Sequence, residues 1–356
     1  MKPRTFFAAI MMLAFVLTGT ESVMAAPAKC AGVTKAKAKA CKAAPTALAS
    51  KKAVVKGKKS RKLVSAKRAI AKKLSAARKR VARARVEPMP VVLQVDEDGQ
   101  PRLSSWAFYI VNQNTNEVLL QRNARAVLPI ASITKLMTAM VVLESGASMG
   151  ETLTITEDDV DYLKGTGSRL GVGTRLTREE MLRLALMSSE NRAASALARN
   201  YPGGRAAFVD AMNIKARLVG MTDAHFYDST GLTPRNVASP RDLSRMVMAA
   251  AQYPQIREFS TTVERYVDIN GQIKHFRNTN GLVKNPDWNI SVSKTGYISE
   301  AGRCLVMQAW MHDQPLTIVL MDASGRGMRV VDAQRVRMWL EERPERLAAN
   351  RKAQQG

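Results

Sequence analysis

Cysteine, acidic residues and long apolar runs are each scarce in all or part of this 356-residue chain, and each scarcity excludes a class of protein. The only cysteines are Cys30, Cys41 and Cys304, which excludes a disulfide scaffold and offers no pattern typical of a zinc site. Beyond the amino terminus, no stretch reaches the ~18 to 20 apolar residues of a transmembrane helix. Hydrophobic residues nevertheless make up 46% of the chain, which is enough for a globular core.

Acidic residues are missing altogether from one segment. The chain has 55 Lys and Arg against 30 Asp and Glu, a formal charge of +25, and residues 27–86 contain 21 of the basic residues and no acidic one. Residues 87–356 contain 32 basic and 29 acidic residues, a net charge of +3. The positive charge therefore belongs to one segment, and the remainder is nearly neutral.

The first 25 residues have the pattern of a cleaved secretory signal peptide. Lys2 and Arg4 precede the apolar run 6–17, and residues 23–25 form a small-residue cleavage site. The run is short for a bilayer span, so an uncleaved membrane anchor is the weaker alternative. We therefore expect export to the periplasm. Export permits a disulfide between Cys30 and Cys41, a pairing that stays open, whereas Cys304 lies in an apolar strand pattern typical of a buried thiol.

Residues 26–90 are predicted to form a disordered Lys/Ala-rich tail, because they cannot bury enough apolar surface to offset chain entropy. Within the tail, apolar side chains recur with helical spacing over 63–84, which indicates a conditional basic amphipathic helix. Such a tail could contact an anionic envelope surface, or it could be a solvated linker. Export and the absence of aromatic residues from the tail both argue against nucleic acid as a partner.

Hydrophobic periodicity and turn signals predict a domain at 91–345, followed by a polar tail at 346–356. Strands are predicted at 106–112, 117–122, 264–269, 272–276, 289–294, 304–311 and 316–321. Helices are predicted at 132–144, 177–187, 204–219, 240–252 and 328–342. This order favours an α+β fold, in which helices flank an antiparallel sheet and a helical lobe is inserted between its strands.

Two short motifs in the helical part of the chain have the residues of an acyl-transfer site. Ser132 and Lys135 begin a predicted helix, where a spacing of three places the hydroxyl and the amine on one face. An unprotonated lysine in that position can take the serine proton and make the hydroxyl a nucleophile. Ser189 and Asn191 follow a predicted helix, where a second hydroxyl and a carboxamide could relay a proton and hold a substrate amide.

A third motif comes at the predicted end of a late strand. Lys294 and Thr295 together suit a carboxylate, and Gly296 leaves room for a substrate backbone along the strand edge. A second Ser-x-x-Lys pattern at 291–294 is predicted to be a decoy, because an odd spacing on a strand sends the two side chains to opposite faces. Each motif is weak alone, and the three in this order are a strong signal.

With these motifs, residues 104–340 resemble the low-molecular-mass penicillin-binding proteins, which are serine D-alanyl-D-alanine carboxypeptidases and endopeptidases. Longer stretches are similar to the penicillin-binding protein 7 type of endopeptidase, namely 129–138, 184–194, 228–232, 276–280 and 288–296. The resemblance implies a penicillin-binding and beta-lactamase-like transpeptidase fold. It also implies an enzyme that acts on peptidoglycan stem peptides and cross-links and that beta-lactams inhibit covalently, with no cofactor or metal.

The resemblance also implies roles for residues of the three motifs. Ser132 would be the acylated nucleophile and Lys135 its base, with Ser189 and Asn191 assisting proton transfer and substrate placement. Lys294, Thr295 and Gly296 would bind the substrate carboxylate and backbone. The backbone N–H groups of Ser132 and Tyr297 would form the oxyanion hole.

Two alternatives remain at this level. The first is a carboxypeptidase that trims terminal D-alanine from pentapeptides. The second is a non-catalytic protein that binds the wall or a polyanion, against which the three intact motifs argue. The Glu-x-x-Leu-Asn pattern that class A beta-lactamases use for deacylation is missing from 224–231, so we expect a long-lived penicillin adduct.

Overall fold

The computed structural model describes residues 91–348, and every statement about structure refers to this range. The predicted signal peptide, the basic tail with its helix at 63–84, Cys30 and Cys41 lie outside the described residues. So do residues 349–356 of the predicted polar C-terminal tail. The domain boundaries that rest on these segments stay predictions.

The described chain alternates strands and helices as an α+β domain. The strands are β1 (Ser105–Asn112), β2 (Val118–Arg122), β3 (Leu128–Pro129), β4 (Thr152–Thr154), β5 (Arg175–Thr177), β6 (Val237–Ala238), β7 (Glu264–Ile269), β8 (Gln272–Arg277), β9 (Asn289–Ile298), β10 (Gly302–Met311) and β11 (Gln314–Ala323). The α-helices are α1 (Lys135–Glu144), α2 (Arg178–Met187), α3 (Asn191–Arg199), α4 (Gly204–Leu218), α5 (Pro240–Ala250), α6 (Pro254–Thr261), α7 (Met328–Glu341) and α8 (Glu345–Ala348). Short 3-10 turns occur at Ala131–Thr134, Glu157–Asp159 and Gly281–Lys284.

Five strands form the main sheet in the order β2-β1-β11-β10-β9, and its neighbouring strands are antiparallel. Pairs β3-β6, β4-β5 and β7-β8 form separate two-stranded ribbons. The first and last parts of the domain thus build the sheet, and the segment between them supplies α1 to α6. This arrangement confirms the predicted antiparallel sheet with a helical lobe.

The central strands are buried on both faces, which explains their nearly continuous apolar sequences. Along β10, Val306 packs into the core shared with the helical lobe, whereas Leu305 and Met307 pack into the core under α7. Alternation of side chains across the strand sends neighbours to opposite faces. Cys304 is fully buried, as its apolar surroundings predicted.

Local capping signals place several helices correctly. The Thr177 hydroxyl accepts the N–H of Glu180 at 3.1 Å, and α2 begins at the next residue. The Ser239 hydroxyl accepts the N–H of Asp242 at 3.2 Å, with a proline in the first turn of α5. These are the side-chain contacts that satisfy free N–H groups at a helix start.

Two of the predicted boundaries that differ from the structure lie at the site. The chain from Ala131 to Thr134 is a 3-10 turn, so the α-helix begins at Lys135 and not at Ser132. Strand β9 continues to Ile298, so the motif beginning at Lys294 lies inside the strand and not at its end. In the second case the pairing of Tyr297 with Arg303 on β10 continues the ladder past the glycine.

Among residues 91–348, no helix combines the length and hydrophobicity needed to cross a bilayer.

Candidate active site

The three sequence motifs meet where the helical lobe contacts the edge of the sheet. Ser132 lies on the 3-10 turn before α1, and Lys135 is the first residue of that helix. Ser189 lies in the turn between α2 and α3, and Asn191 begins α3. Lys294 comes from β9, one of the two edge strands of the main sheet. The fold thus assembles side chains that are up to 162 positions apart in the numbering of the chain.

Lys135 is the centre of the cluster. Its Nζ lies 2.8 Å from Ser132 Oγ, 2.7 Å from Asn191 Oδ1 and 2.7 Å from the carbonyl oxygen of Thr230. The side chain is fully buried, and this burial lowers the pKa of the Lys135 amine from 10.5 to about 7, although the charges of Asp228 and Glu190 act in the opposite direction. A large fraction of the amine is therefore neutral near pH 7 and able to accept the Ser132 proton.

A second buried lysine joins the other two motifs. Lys294 Nζ donates to Ser189 Oγ at 2.9 Å and to the carbonyl oxygen of Thr295 at 2.9 Å. Burial first, and then the charges of Lys135 and Arg329, hold the pKa of Lys294 well below its usual range. An anion entering beside this amine would favour its protonated form.

The predicted decoy serine is separate from this cluster. Ser291 Oγ accepts the indole N–H of Trp310 at 2.9 Å, while the Lys294 amine is bonded to Ser189 and to the backbone. The prediction that the 291–294 pattern is not a second Ser–Lys pair is therefore confirmed.

Two non-glycine residues beside the site have left-handed backbone angles. Ala131, which precedes Ser132, has a φ of 48°, and Ser189 has a φ of 60°. Such conformations cost on the order of 1 to 3 kcal/mol each and persist where surrounding contacts hold them. At Ser189 the hydrogen bond to Lys294 is one such contact.

The segment 228–231 brings a carbonyl oxygen to Lys135. The Asp228 carboxylate accepts the N–H groups of Thr230 at 2.8 Å, Gly231 at 2.6 Å and Thr233 at 3.1 Å, which closes a compact turn. Gly231 has a φ of 79°, and a Cβ on this residue would lie 1.9 Å from the carbonyl oxygen of Ala131. The turn therefore fits against the chain before Ser132 only because residue 231 has no side chain.

Tyr297 continues β9 beyond the Lys294 motif. The N–H of Ser293 points away from β10 and donates to Ser260 Oγ at 3.2 Å. Because N–H directions repeat every second residue along a strand, the N–H groups of Thr295 and Tyr297 point to the same outer edge. The Tyr297 side chain is exposed, with the Arg303 guanidinium carbon 4.5 Å from its ring centre. Within residues 91–348 no hydrogen bond links its hydroxyl to the cluster.

Four further residues belong to the site that the sequence motifs did not identify. Thr230 supplies a carbonyl oxygen to Lys135, and Thr279 Oγ1 accepts the hydroxyl of Thr295 at 2.7 Å. Arg329 donates to the carbonyl oxygen of Gly296 at 3.2 Å. Thr166 Oγ1 accepts the carboxamide N–H of Asn191 at 2.9 Å. Thr230 and Thr279 fall in stretches that contributed to the family resemblance, whereas no sequence signal pointed to Arg329 or Thr166.

The fold and its relatives define a serine peptidase of the penicillin-binding type. Residues 94–325 match the family model described as D-alanyl-D-alanine carboxypeptidase. With most of the folded part matched, the chain belongs to this family.

Curated relatives include two proteins named D-alanyl-D-alanine endopeptidase. The one from Pseudomonas aeruginosa is 48% identical over 244 residues, which cover 68% of this chain and 79% of the relative. The one from Escherichia coli is 44% identical over 244 residues, with the same coverage.

Solved structures place the fold with the same class. The crystal structure of the Streptomyces K15 DD-transpeptidase has a TM-score of 0.63 at 28% identity, covering 67% of this chain and 98% of that one. Penicillin-binding protein D2 from Listeria monocytogenes in its ampicillin-bound form has a TM-score of 0.58 at 26% identity, covering 67% and 99%. The predicted transpeptidase fold is thereby confirmed.

A pair of glycine substitutions tests the close contact behind Ser132. Gly231→Ala should lower the free energy of unfolding by about 3 kcal/mol, because the new Cβ adds a backbone clash to a left-handed φ. Gly271 has a φ of 77° but no atom within 4 Å of the added Cβ, so Gly271→Ala should cost only about 1 kcal/mol. Urea unfolding followed by circular dichroism measures both variants, and equal losses would contradict the contact.

Proposed function

We propose that this protein is a periplasmic serine D,D-endopeptidase that hydrolyses D-alanyl-meso-diaminopimelyl cross-links of peptidoglycan through an acyl-serine intermediate. The observation that carries the proposal is the buried Lys135 amine, which has a pKa of about 7 and lies 2.8 Å from Ser132 Oγ. The names and the 44% and 48% identities of the two endopeptidase relatives support the choice of reaction.

Acylation begins with the transfer of the Ser132 hydroxyl proton to the neutral amine of Lys135. Ser132 Oγ then attacks the carbonyl carbon of the D-alanine that is joined to meso-diaminopimelate. The backbone N–H groups of Ser132 and Tyr297 stabilise the oxyanion, a role that the outward direction of the Tyr297 N–H supports. As the scissile C–N bond breaks, the proton that Lys135 took from Ser132 passes through Ser189 to the leaving amine, which returns Lys135 to its neutral form. Asn191 holds the substrate amide. Water then hydrolyses the ester, with the same base, to release the free enzyme.

The other side of the site suits a carboxylate. Lys294 is buried at the site, Thr295 adds a hydroxyl, and Arg329 contributes a second positive charge beside Gly296. A carboxylate bound there offsets the mutual repulsion of the cations and raises the pKa of the Lys294 amine. A Cβ on Gly296 would lie 2.9 Å from the carbonyl oxygen of Ile130, so the glycine allows β9 to approach the chain that precedes Ser132.

Substrate chemistry explains how such a site accepts a cross-link. In the cross-link, D-alanine is joined to the D-centre of meso-diaminopimelate, which has a carboxylate beside the scissile amide. Terminal D-alanine has a carboxylate in the same position, so a D-alanyl-D-alanine carboxypeptidase activity is the second candidate. The description of the matching family model favours this second candidate.

Digestion of defined muropeptides separates the two candidates. The protein should convert cross-linked dimers to monomers, and mass spectrometry of the products measures this. Ser132→Ala should lower the rate by at least about a thousandfold, because it removes the nucleophile. Release of D-alanine from monomeric pentapeptide without loss of dimer would instead establish the carboxypeptidase.

The rate of acylation by a fluorescent penicillin should rise with pH through about 7 and then level off. Lys135 accepts the Ser132 proton only in its neutral form, and the pKa of its amine is lowered to about 7, so raising the pH increases the reactive fraction. Rapid-quench gels across a pH series measure this rate, with Ser132→Ala as the control for unspecific labelling. A rate that falls as the pH rises through this range would contradict the role of Lys135.

We also propose that residues 26–90 hold the exported enzyme at an anionic envelope surface, because of their positive charge and the helical spacing of their apolar residues. A variant lacking residues 26–86 should then bind isolated envelopes more weakly than the full chain, with the difference disappearing as salt is raised. Equal binding of the two proteins at low salt would end this hypothesis.

A further inference from the structure

The segment 161–169 lies against Asn191 and is organised by one carboxylate. Asp161 Oδ1 accepts the N–H groups of Leu163 and Lys164, and its Oδ2 accepts the N–H of Thr166, each at 2.9 Å. Burial alone would raise the pKa of the Asp161 carboxyl, but hydrogen bonds from the Thr166 hydroxyl and from these backbone N–H groups outweigh it and lower the pKa. Asp161 is therefore ionised near neutral pH and can act only as a hydrogen-bond acceptor.

The Thr166 hydroxyl can donate one hydrogen bond and can accept others with its lone pairs, and its single proton is already engaged. Thr166 Oγ1 donates to Asp161 Oδ2 at 2.6 Å. The same oxygen lies 2.9 Å from the carboxamide Nδ2 of Asn191 and accepts from it. Because the hydroxyl proton points to Asp161, the Asn191 carboxamide must present its N–H group to Thr166. Its Oδ1 is then turned toward Lys135.

The orientation of the Asn191 carboxamide decides which group can hydrogen-bond to the lone pair of the Lys135 amine. A neutral amine has two N–H donors and one lone pair. Asn191 Oδ1 and the carbonyl oxygen of Thr230, both 2.7 Å from Nζ, accept the two N–H bonds. The lone pair is then left for the hydroxyl proton of Ser132, 2.8 Å away. A reversed Asn191 carboxamide would donate to the lone pair and compete with Ser132.

We infer that Thr166, held by Asp161, is a positioning residue that fixes the orientation of the Asn191 carboxamide and thereby reserves the lone pair of Lys135 for Ser132. The inference rests on the proposed acyl-serine function, which it deepens by adding a second layer of residues behind the site. Thr166 touches neither the nucleophile nor its base, so it acts only through Asn191.

Other contacts keep the segment in place when the Thr166 hydroxyl is removed. Lys164 pairs with Glu300, in the turn between β9 and β10, and Arg169 pairs with Glu190 at 3.1 Å. Ser168 Oγ donates to Glu190 at 2.6 Å. A change at Thr166 alone therefore leaves the path of the segment largely intact.

The charged groups that face Lys135 come from three other parts of the chain. Asp228 lies in the turn after α4, Glu190 precedes α3, and Lys294 comes from β9. Replacing Thr166 removes none of them. A change in the pKa of Lys135 in a Thr166 variant would consequently reflect the orientation of the Asn191 carboxamide and not the loss of a nearby charge.

Thr166→Val has nearly the shape of threonine but cannot accept from Asn191. Second-order acylation by a fluorescent penicillin should fall by about ten- to a hundredfold at the pH plateau. The midpoint of the pH profile should move to lower pH, because an N–H donated to the lone pair favours the neutral amine. Thr166→Ser keeps the hydroxyl, so its rate should stay within about threefold of the unchanged protein, with the same midpoint.

Thr174→Val is the matched control. Thr174 ends the same loop, and its Oγ1 is buried without a hydrogen-bond partner among the described residues. This variant should acylate at the unchanged rate. Thermal unfolding of all four proteins shows whether a lost rate follows lost folding.

The outcomes separate the inference from the function on which it rests. Failure of the unchanged protein to form an adduct would overturn the proposed acyl-serine function. A normal adduct together with an unchanged rate for Thr166→Val would overturn the role of Thr166. So would a fall in rate without a shift in the pH midpoint, or an equal loss in Thr166→Ser, because a purely structural contact would give either result.

Discussion

The site depends on the complete burial of two lysine amines within one cluster. Removing an ammonium ion from water costs several kcal/mol, and a second cation nearby adds repulsion. At Lys135 this cost takes the form of a pKa of about 7. The free energy that keeps the amine out of water comes from the apolar cores on both faces of the sheet. The stability of the domain thus keeps much of the Lys135 amine neutral near pH 7, the form that acyl transfer to serine requires.

Burial also dictates how the elements around the cluster end and turn. Every hydrogen of a buried amine needs an acceptor, and the acceptors at Lys135 come from the start of α3 and from the turn at 228–231. That turn can approach only at a glycine, and the chain before Ser132 must leave the ordinary backbone regions to meet it. The left-handed backbone angles and the close contact at the glycine therefore have the same cause, the packing around the buried Lys135 amine.

The local part of this arrangement could be predicted from the sequence. Ser132 and Lys135 are close because they are three residues apart in a helical turn, and the cap at Thr177 and the turn at 270–271 follow from residue preferences. The resemblance to penicillin-binding proteins added the pairing of the three motifs. The fold class followed from the order of elements alone.

The rest depends on contacts that no local rule describes. Lys135 and Thr230 are 95 residues apart, and Thr166 and Asn191 are 25 apart, so their meeting is decided by the packing of whole elements. The predicted end of β9 at Lys294 is wrong because the strand runs on through Gly296 to Ile298. In the structure the ladder with β10 continues through this glycine, where the small residue serves the contact with Ile130. Arg329 had no signal because a single arginine near a helix start is unremarkable in a basic chain.

The position of β9 at the edge of the sheet affects whether the protein associates with other copies of itself. An unpaired strand edge attracts other extended chains, and a long one promotes association. Here α6 covers the earlier part of the edge, since Ser260 Oγ accepts the N–H of Ser293. The outward N–H groups that come after it along the edge are those of Thr295 and Tyr297. An edge this short can align two residues of a bound peptide, as strand addition requires, but gives a foreign strand too few hydrogen bonds to dock. The enzyme can therefore keep a reactive sheet edge without promoting its own aggregation.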